Sequence, residues 1–468
     1  MSRCLRLLLI GTMLAALLGS GWSAAATPTG LVAYHEPPSL LSTGRQVTLA
    51  YALLPGSARG TLFVRNNLQR RYTRLPLSRG TYCPGDPVDA AAMRRDKVCG
   101  DALLARVPSA LVTGSNLFYY AVLRDPASGR SATVPTDGAR HPQRVWIVAR
   151  FLAVRLGAHG FGHVNTPSAI VARTGPGGVG LSCCADPPGG DGPSSFDVAR
   201  NGSIWLLDRV NHRLLVWRAG SPAGPGRSVI LPPALSVSDF ALGRDGTIYV
   251  RAADTADQGR GNKSHLYALT PSGTVRWQAP TTAGIATSQL QLGPDGSLYA
   301  AQACGLPCAP FGGHVSWVPL TTPAGLPLSA AERSRRATPF EPLPGGLRLV
   351  TQLSYTRARF ALIDATDHVV RAWSVTSNTR MSGLAAAPAL VGGDLVLPLE
   401  VSARQRWEKL VVRLAPTGAL RARVALADRP LLGEVNLFAP LRVATDGSLY
   451  QLRTSLAAGA SVAKYALR

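Results

Sequence analysis

The chain has seven cysteines, and the six that follow Cys4 are the residues with the widest choice of chemistry. They fall into three groups that are close in sequence: Cys83 with Cys99, Cys183 with Cys184, and Cys304 with Cys308. Thiolates can bind zinc, cycle as a redox pair or form disulfides, and an even number in an exported chain favours disulfides. We expect a local Cys83–Cys99 disulfide. For the other four the sequence leaves open local pairs, cross-pairing between two loops, or a four-thiolate zinc site, which an oxidising compartment disfavours.

Histidine offers a second route to metal chemistry. His159 and His163 are four residues apart in the motif HGFGH. The two glycines favour extended chain, and no third ligand is visible, so we do not predict a zinc site there. The others are expected to be structural or solvated, because ligand histidines must converge: His35, His141, His212, His265, His314 and His368.

The first 26 residues resemble a secretory signal peptide. Arg3 and Arg6 precede an apolar run over residues 7–18, and small residues occupy positions 24–26. The run is shorter than a bilayer-spanning helix, and no later segment is long and apolar enough to span. We therefore expect residues 1–26 to be removed and the mature protein to be secreted, with no transmembrane segment.

The chain is strongly basic. It carries 49 Lys and Arg against 26 Asp and Glu, a formal charge of +23. Such a charge attracts anionic surfaces and ligands. The basic residues are scattered along the sequence rather than clustered, so the sequence predicts no specific nucleic-acid binding.

A repeated turn sets the expected architecture. The segments that begin at Phe196, Phe240, Leu290 and Leu441 each place Asn-Gly or Asp-Gly between two alternating apolar strands. Weaker copies contain Gly345 and Gly393. The turn positions 201, 245, 295, 345, 393 and 446 are separated by 44, 50, 50, 48 and 53 residues. A period of this length made only of strands is typical of propeller blades.

A second hairpin follows the first in several units, so each unit is predicted to hold four antiparallel strands. The sixth unit stops after its third strand, and its edge needs a partner. Residues 168–172 are placed to supply that strand and close the ring. We therefore predict an all-β protein, with a six-bladed β-propeller over residues 166–468.

Residues 27–148 are predicted to form short strands and turns that lack the repeat spacing of the blades. Their pattern resembles an immunoglobulin-like or fibronectin-like β-sandwich. Residues 149–165 are expected to be a linker between this domain and the propeller.

The first blade also resembles the NHL repeat, in the stretch IWLLDRVNHRLLVW. Asp208, Asn211 and Arg213 occupy the Asp and Asn-x-Arg positions of that family, where they mostly brace the blade. The family implies a six-bladed propeller and includes binding scaffolds, metal-dependent lyases and calcium-dependent lactone hydrolases. The histidine pattern of the lyases is not matched here, and fold alone does not choose among these functions.

Long connections are expected to meet on one face of the ring. They would gather a mixed acidic and basic set, which we call the loop rim: Asp186, Asp191, Asp254, Asp257, Arg260, Arg404 and Arg406. Such a rim suits a polar or anionic extracellular ligand or a protein partner. We therefore expect a non-catalytic binding or scaffold protein for a glycan, peptide or cell-envelope component. The alternative is a metal-dependent lyase or hydrolase of the NHL-like type. No cofactor is predicted, although the acidic residues offer oxygen ligands for a structural calcium ion.

Overall fold

The computed structural model describes a chain made almost entirely of strands. The described residues are 32–54, 58–82, 100–162, 166–175, 177–181, 192–222, 224–233, 235–254, 264–281, 289–302, 316–338, 340–403, 406–427, 440–444, 446–455 and 458–467. They divide into two compact units. The first comprises the described residues up to 37, from 44 to 82 and from 100 to 145, and the second comprises 38–43 and those from 146 onward.

Nine strands lie in the described residues before position 150. They are β1 (Val32–Tyr34), β2 (Leu40–Ser42), β3 (Val47–Leu54), β4 (Arg59–Asn66), β5 (Thr73–Tyr82), β6 (Gly100–Val107), β7 (Asn116–Arg124), β8 (Ser131–Val134) and β9 (Gln143–Val148). A 3₁₀ turn covers Ser109–Leu111.

The first unit is a continuous antiparallel sheet. Its order is β1-β3-β6-β5-β4-β7, with β8 also paired to β7. Strand β5 makes the sheet continuous, because its first half pairs with β4 and its second half with β6. Alternate residues of β7 are buried, as period-two patterning requires of a half-buried strand. The two-layer sandwich predicted for residues 27–148 stays a prediction.

The remaining strands belong to the second unit. They are β10 (Leu152–Gly157), β11 (Ser168–Ala172), β12 (Phe196–Val198), β13 (Ile204–Asp208), β14 (Arg213–Trp217), β15 (Arg227–Ile230), β16 (Leu235–Leu242), β17 (Ile248–Asp254), β18 (Ser264–Leu269), β19 (Val275–Pro280), β20 (Gln289–Leu292), β21 (Leu298–Gln302), β22 (Ser316–Pro319), β23 (Glu341–Pro342), β24 (Arg348–Leu353), β25 (Arg357–Ile363), β26 (Val369–Ser377), β27 (Arg380–Leu384), β28 (Ala389–Val391), β29 (Asp394–Ala403), β30 (Arg406–Leu414), β31 (Leu420–Ala427), β32 (Leu441–Val443), β33 (Leu449–Ser455) and β34 (Gly459–Tyr465). One helix, α1, spans Ala330–Arg336.

These strands form the six blades of a β-propeller, as the repeat predicted. Blade 1 is β12–β15, blade 2 is β16–β19, blade 3 is β20–β22, and blade 4 is β23–β26. Blade 5 is β27–β31, in which β27 and β28 both pair with β29, and blade 6 is β32–β34 with β11. Clusters of buried apolar side chains fill the spaces between successive sheets, for example between blades 1 and 2.

The repeated turns explain why the first two strands of a blade fold back on each other. Gly246 and Gly296 have φ of +85° and +93°, a conformation that glycine adopts without steric cost. The Asp one residue earlier keeps negative φ, and its carboxylate accepts a hydrogen bond from the backbone N–H two residues on. This distance is 3.0 Å in the turns of both Asp245 and Asp295. The Asp-Gly-Ser/Thr motif is therefore a side-chain-stabilised turn with one left-handed residue.

Strand β11 closes the ring, which confirms the sequence prediction. It pairs antiparallel with β34, with Ile170 opposite Val462 and Ala172 opposite Ala460. Ile170 is buried between blades 6 and 1, whereas its neighbour Val171 is 48% exposed. Strand β11 thus supplies the fourth strand of the blade formed by β32, β33 and β34.

The segment predicted as a linker contains a strand of blade 4. Strand β10 pairs in parallel with β26, the last strand of that blade, and makes its sheet five-stranded. Val154 and Leu156 are buried in the core shared by blades 4 and 5, while the residues between them face outward. The alternating pattern LAVRLG has the period of a strand, which is why this stretch adds to a sheet.

Blade 3 departs from the four-strand prediction in the described residues. Three strands are present, and the position of a fourth is marked by a single antiparallel bridge between Trp317 and Thr338. Helix α1 lies in the sequence between β22 and Thr338, the residue that bridges back to Trp317. It starts in a capping box, in which the Ser329 hydroxyl accepts from the Glu332 N–H and the Glu332 carboxylate accepts from the Ser329 N–H.

Ring closure predicts unequal effects for two neighbouring substitutions in β11. Ile170→Ala should lower the free energy of unfolding by about 2–4 kcal/mol, because it leaves a cavity between two blades. Val171→Ala, on the exposed face of the same strand, should change it by less than about 0.5 kcal/mol. Urea unfolding of both variants measures the difference, and equal losses would show that β11 does not close the core.

Candidate functional site

The loop rim falls mostly outside the described residues. Asp186, Asp191, Asp257, Arg260 and Arg404 lie there, as do all six cysteines: Cys83, Cys99, Cys183, Cys184, Cys304 and Cys308. Asp254 is the last residue of β17, and Arg406 is the exposed first residue of β30. Both stand at connections between the second and third strands of their blades. The rim, the disulfides and a calcium ion therefore stay predictions.

Two aspartates on the inner strands join successive blades. Asp197 of blade 1 accepts a hydrogen bond of 2.9 Å from the N–H of Leu242 in blade 2. Asp239 of blade 2 accepts one of 2.6 Å from the N–H of Leu290 in blade 3. Burial raises the pKa of both carboxyls, although their backbone donors oppose this rise. The same type of contact thus links three consecutive blades around the channel.

Arg442 brings the opposite charge into this ring from blade 6. Its Nε lies 3.7 Å from Oδ1 of Asp197, and its side chain is 16% exposed. Its charge also lowers the pKa of Asp239. The Asp197–Arg442 ion pair therefore joins blade 6 to blade 1 at their inner strands, whereas β11 completes blade 6 at its outer edge.

The central channel contains a cavity of about 750 Å³. All six blades line it, through the ends of their first strands and the turns that lead to their second strands. Because adjacent strands are antiparallel, this end of the channel is opposite the end reached by the second-to-third strand connections of the loop rim. We call this space the turn cavity.

Glu341 is the exceptional residue of the turn cavity. It lies in β23, on the wall of the cavity, and is only 5% exposed. Its Oε1 is buried and has no hydrogen-bond partner among the described residues. Burial raises the pKa of this carboxyl well above its usual value. Sequence reasoning missed Glu341, because no local motif around it distinguishes it from a solvated glutamate.

The raised pKa of Glu341 predicts a specific pH dependence of stability. The folded state holds this proton more tightly than the unfolded state, so the contribution of Glu341 is favourable below about pH 4.5 and declines as pH rises. Glu341→Gln removes this dependence. The variant should match the wild type at low pH and exceed its free energy of unfolding at pH 7. Denaturant unfolding at a series of pH values measures the gap.

Glu332→Gln is the matched control for Glu341→Gln. Hydrogen bonds from Ser329 lower the pKa of Glu332, so its stabilising contribution is present at neutral pH and is lost as pH falls. The gap between this variant and the wild type should therefore have the opposite sign. Parallel pH profiles for the two variants would contradict the assignment of Glu341 as a buried, unpaired carboxyl.

Asp208, Asn211 and Arg213 have the contacts of a structural brace. The Oδ2 of Asp208 accepts hydrogen bonds from Asn211 at 2.8 Å and from Arg213 at 2.9 Å, and its Oδ1 accepts one from the N–H of Gly180. Arg213 also donates to the carbonyl of Gly178. Asp208 is fully buried, so its charge is compensated by these donors rather than by solvent.

His159 belongs to a polar cluster that the sequence did not predict. Its Nε2 lies 2.5 Å from a carboxylate oxygen of Glu408, and its Nδ1 lies 3.0 Å from Arg423. A guanidinium only donates, so Nδ1 accepts and Nε2 carries the hydrogen that it donates to Glu408. The N–H of His159 also donates to Thr379 Oγ1. This cluster fastens the segment after β10 to the third and fourth strands of blade 5.

His159→Ala should therefore destabilise the fold. The substitution leaves the carboxylate of Glu408 and the guanidinium of Arg423 without their shared partner, at a cost of about 2 kcal/mol. His368→Ala is the control, because the His368 side chain is 72% exposed and should contribute less than about 0.5 kcal/mol. Unfolding midpoints in urea measure both, and equal midpoints would remove the structural role of His159.

The other described histidines are structural or solvent-exposed. His35 donates or accepts at 2.7 Å with the Ala50 carbonyl and the Tyr119 hydroxyl, inside the first unit. His212 occupies the turn before β14, and His265 lies in β18. His163 and His314 are outside the described residues. Among the residues that are described, no group of three or more His, Cys, Asp or Glu is placed to hold a metal ion.

Comparison with known proteins finds similarity only in structure. No family model and no curated protein matches the sequence. Virginiamycin B lyase from Staphylococcus aureus aligns over 59% of this chain and 95% of its own, with 12% identity and a TM-score of 0.31. Regucalcin, a calcium-binding protein from Agrobacterium tumefaciens, aligns over 67% and 95%, with 14% identity and a TM-score of 0.32. A protein of unknown function from Bacteroides caccae aligns over 52% and 85%, with 11% identity and a TM-score of 0.31.

No helix in the described part of the chain is long and apolar enough to cross a membrane.

Proposed function

We propose that this protein is an exported, non-catalytic binding or scaffold protein. Its ligand is a polar molecule, such as a glycan, a peptide or a component of the cell envelope, and its site is the loop rim. The alternative, a metal-dependent lyase or hydrolase, would need acidic or histidine side chains that are free to react or to bind metal.

The carboxylates of the described ring support binding rather than catalysis. Asp197 and Asp239 accept backbone hydrogen bonds from the next blade, and Asp208 accepts from Asn211, Arg213 and Gly180. The oxygens of these carboxylates are occupied by hydrogen bonds within the fold, so they are not free to bind a metal ion or to take a proton from a substrate. These groups hold the frame, and a rigid frame is what a binding site on loops requires.

We place the ligand at the start of β30, where the described part of the loop rim is exposed. Arg406 is exposed, and the side chain of the following residue, Trp407, is 51% exposed. The exposed indole of Trp407 offers an apolar ring face suited to a sugar ring or a peptide, whereas Arg406, the preceding residue of the strand, points to the other face of the sheet. Both residues stand where the predicted rim loop of blade 5 rejoins its sheet.

The proposal predicts binding that depends on Trp407. The full chain, applied to an array of glycans and to peptidoglycan fragments, should bind at least one class of probe in a saturable way. Trp407→Ala should weaken that binding about tenfold or more, as loss of an aromatic anchor does. Biolayer interferometry with the bound probe measures the change in Kd.

Leu326→Ala is the matched control, since Leu326 is 60% exposed but lies in the connection between β22 and α1. It should leave the affinity unchanged. If Trp407→Ala bound the probe with the same Kd as the wild type, the loop rim would not be the binding site. Metal-dependent turnover of a peptide or lactone substrate by the same preparation would instead support the alternative enzyme.

A further inference from the structure

The turn cavity has arginines on one side of the channel. Arg200 and Arg244 occupy the same position of the repeat, two residues after the first strands of blades 1 and 2, and both line the cavity. The corresponding residues of blades 3 and 4 are Pro294 and Pro344, which also line it. Arg442, in the first strand of blade 6, is the third arginine of the wall. Because blade 6 adjoins blade 1, the three arginines come from adjacent blades.

The acidic groups at this end of the channel are balanced or weakened. Asp197 pairs with Arg442 at 3.7 Å. The charges of Arg442 and Arg251 act on the buried Asp239 and oppose the rise in its pKa. Burial raises the pKa of Glu341, the remaining acid of the wall, well above its usual value. Glu341 therefore carries less negative charge at neutral pH than a solvated glutamate does.

Arg200 and Arg244 keep their charge uncompensated. Both residues are exposed, and neither forms an ion pair with an acid among the described residues. Asp245, the acid next to Arg244 in the same turn, pairs instead with Arg276 at 3.4 Å. Arg244 donates to the carbonyl of Pro294 in blade 3, which uses only part of its set of five donors. This side of the cavity is therefore positive and attracts an anion.

The opposite side of the cavity is apolar. In a ring of six blades, blades 4 and 5 lie across the channel from blades 1 and 2. Leu343 and Pro344 of blade 4 line that side, together with residues of blade 5 that are all Ala, Pro, Leu or Val: Ala386, Ala387, Pro388, Ala389, Leu390 and Val391. The volume of about 750 Å³ falls within the range of small-molecule sites, about 300–1,000 Å³. Positive charge and apolar surface thus face each other across a space of ligand size.

We propose that the turn cavity binds a small amphipathic anion, with its carboxylate or phosphate group held by Arg200 and Arg244 and its apolar chain packed against blades 4 and 5. A planar guanidinium presents paired donors that suit either anionic group. The apolar chain leaves water for the wall of blades 4 and 5, and the affinity rises with the apolar area that is buried. This site is separate from the proposed loop rim, since the two lie at opposite ends of the channel.

Calorimetric titration of the full chain with matched probes tests this proposal. Octanoate and octyl phosphate have an anionic head, octylamine and octanol have the same chain with a cationic or neutral head, and acetate has the head without the chain. At least one of the two anionic octyl probes should bind in a saturable way below about 1 mM, and the tighter one identifies the head group. Octylamine, octanol and acetate should bind at least about tenfold more weakly. Failure of both anionic octyl probes, or equally tight binding of any other probe, would overturn the proposal.

Variants of the arginines locate the binding. Arg200→Ala should weaken binding of the anionic octyl probe about tenfold, because it removes charge-assisted hydrogen bonds. Arg155→Ala is the matched control: it removes the same charge from an exposed position of β10, the outer strand of blade 4, where salt screens it from the channel. It should leave the affinity within about twofold. Equal losses in the two variants would show attraction by net charge alone and would contradict the assignment.

Charge reversal gives a result that a lost fold cannot produce. Arg200→Glu combined with Arg244→Glu should bind octylamine more tightly than octanoate, because the wall then attracts a cation. An unchanged preference for octanoate would exclude these two residues from the site.

Trp407→Ala separates the two proposals. It should leave binding of the anionic octyl probe unchanged, because Trp407 lies at the other end of the channel. If Trp407→Ala weakened that probe as much as Arg200→Ala, the ligand would not be held by the turn cavity alone and this inference would fail, while the rim proposal would stand.

Discussion

The propeller depends on how its innermost strands satisfy their backbone N–H groups beside the channel. The first strand of a blade has neighbours on one side only, so its other edge cannot complete a ladder. Asp197 and Asp239 solve this by accepting the N–H groups of Leu242 and Leu290 in the following blades. Arg442 then balances the charge from blade 6. Blade-to-blade geometry is therefore fixed by side chains at the axis as well as by the apolar packing between sheets.

This arrangement places several carboxyl groups in a poorly solvated channel. Burial raises the pKa of Asp197 and Asp239. Arg442 and hydrogen bonds act against this rise at both carboxyls, and Arg251 also does so at Asp239. Glu341 sits in an equivalent position on the inner strand of blade 4 without such compensation. A fold that retains an uncompensated buried acid gives up stability at neutral pH.

The sequence predicted those features that rest on local chemistry. Asn-Gly and Asp-Gly turns, period-two strands and the missing last strand of blade 6 were sufficient for the six-bladed ring and its closure by β11. The strand within the predicted linker and the cluster around His159 were not predicted. His159 meets Glu408 and Arg423 across 249 and 264 residues of sequence, and no local signal encodes such partners. The burial of Glu341 likewise exists only once six blades surround it. The rim residues were predicted from loop length alone, and most of them lie outside the described part.

Blades 4 and 5 turn differently from the other four, and blade 5 turns at Gly392 and Gly393, both with positive φ. In blades 1, 2, 3 and 6 the turn oxygens of Asn201, Asp245, Asp295 and Asp446 accept hydrogen bonds from their own turns. Blade 4 instead turns at Gly345 and Gly346, both with positive φ and without a side chain. Its inner strand is only two residues long and contains Glu341. Where the repeat is regular, its polar groups are used within the fold. In blade 4 the Oε1 of Glu341 is buried without such a bond, which is an energetic cost that the regular blades avoid.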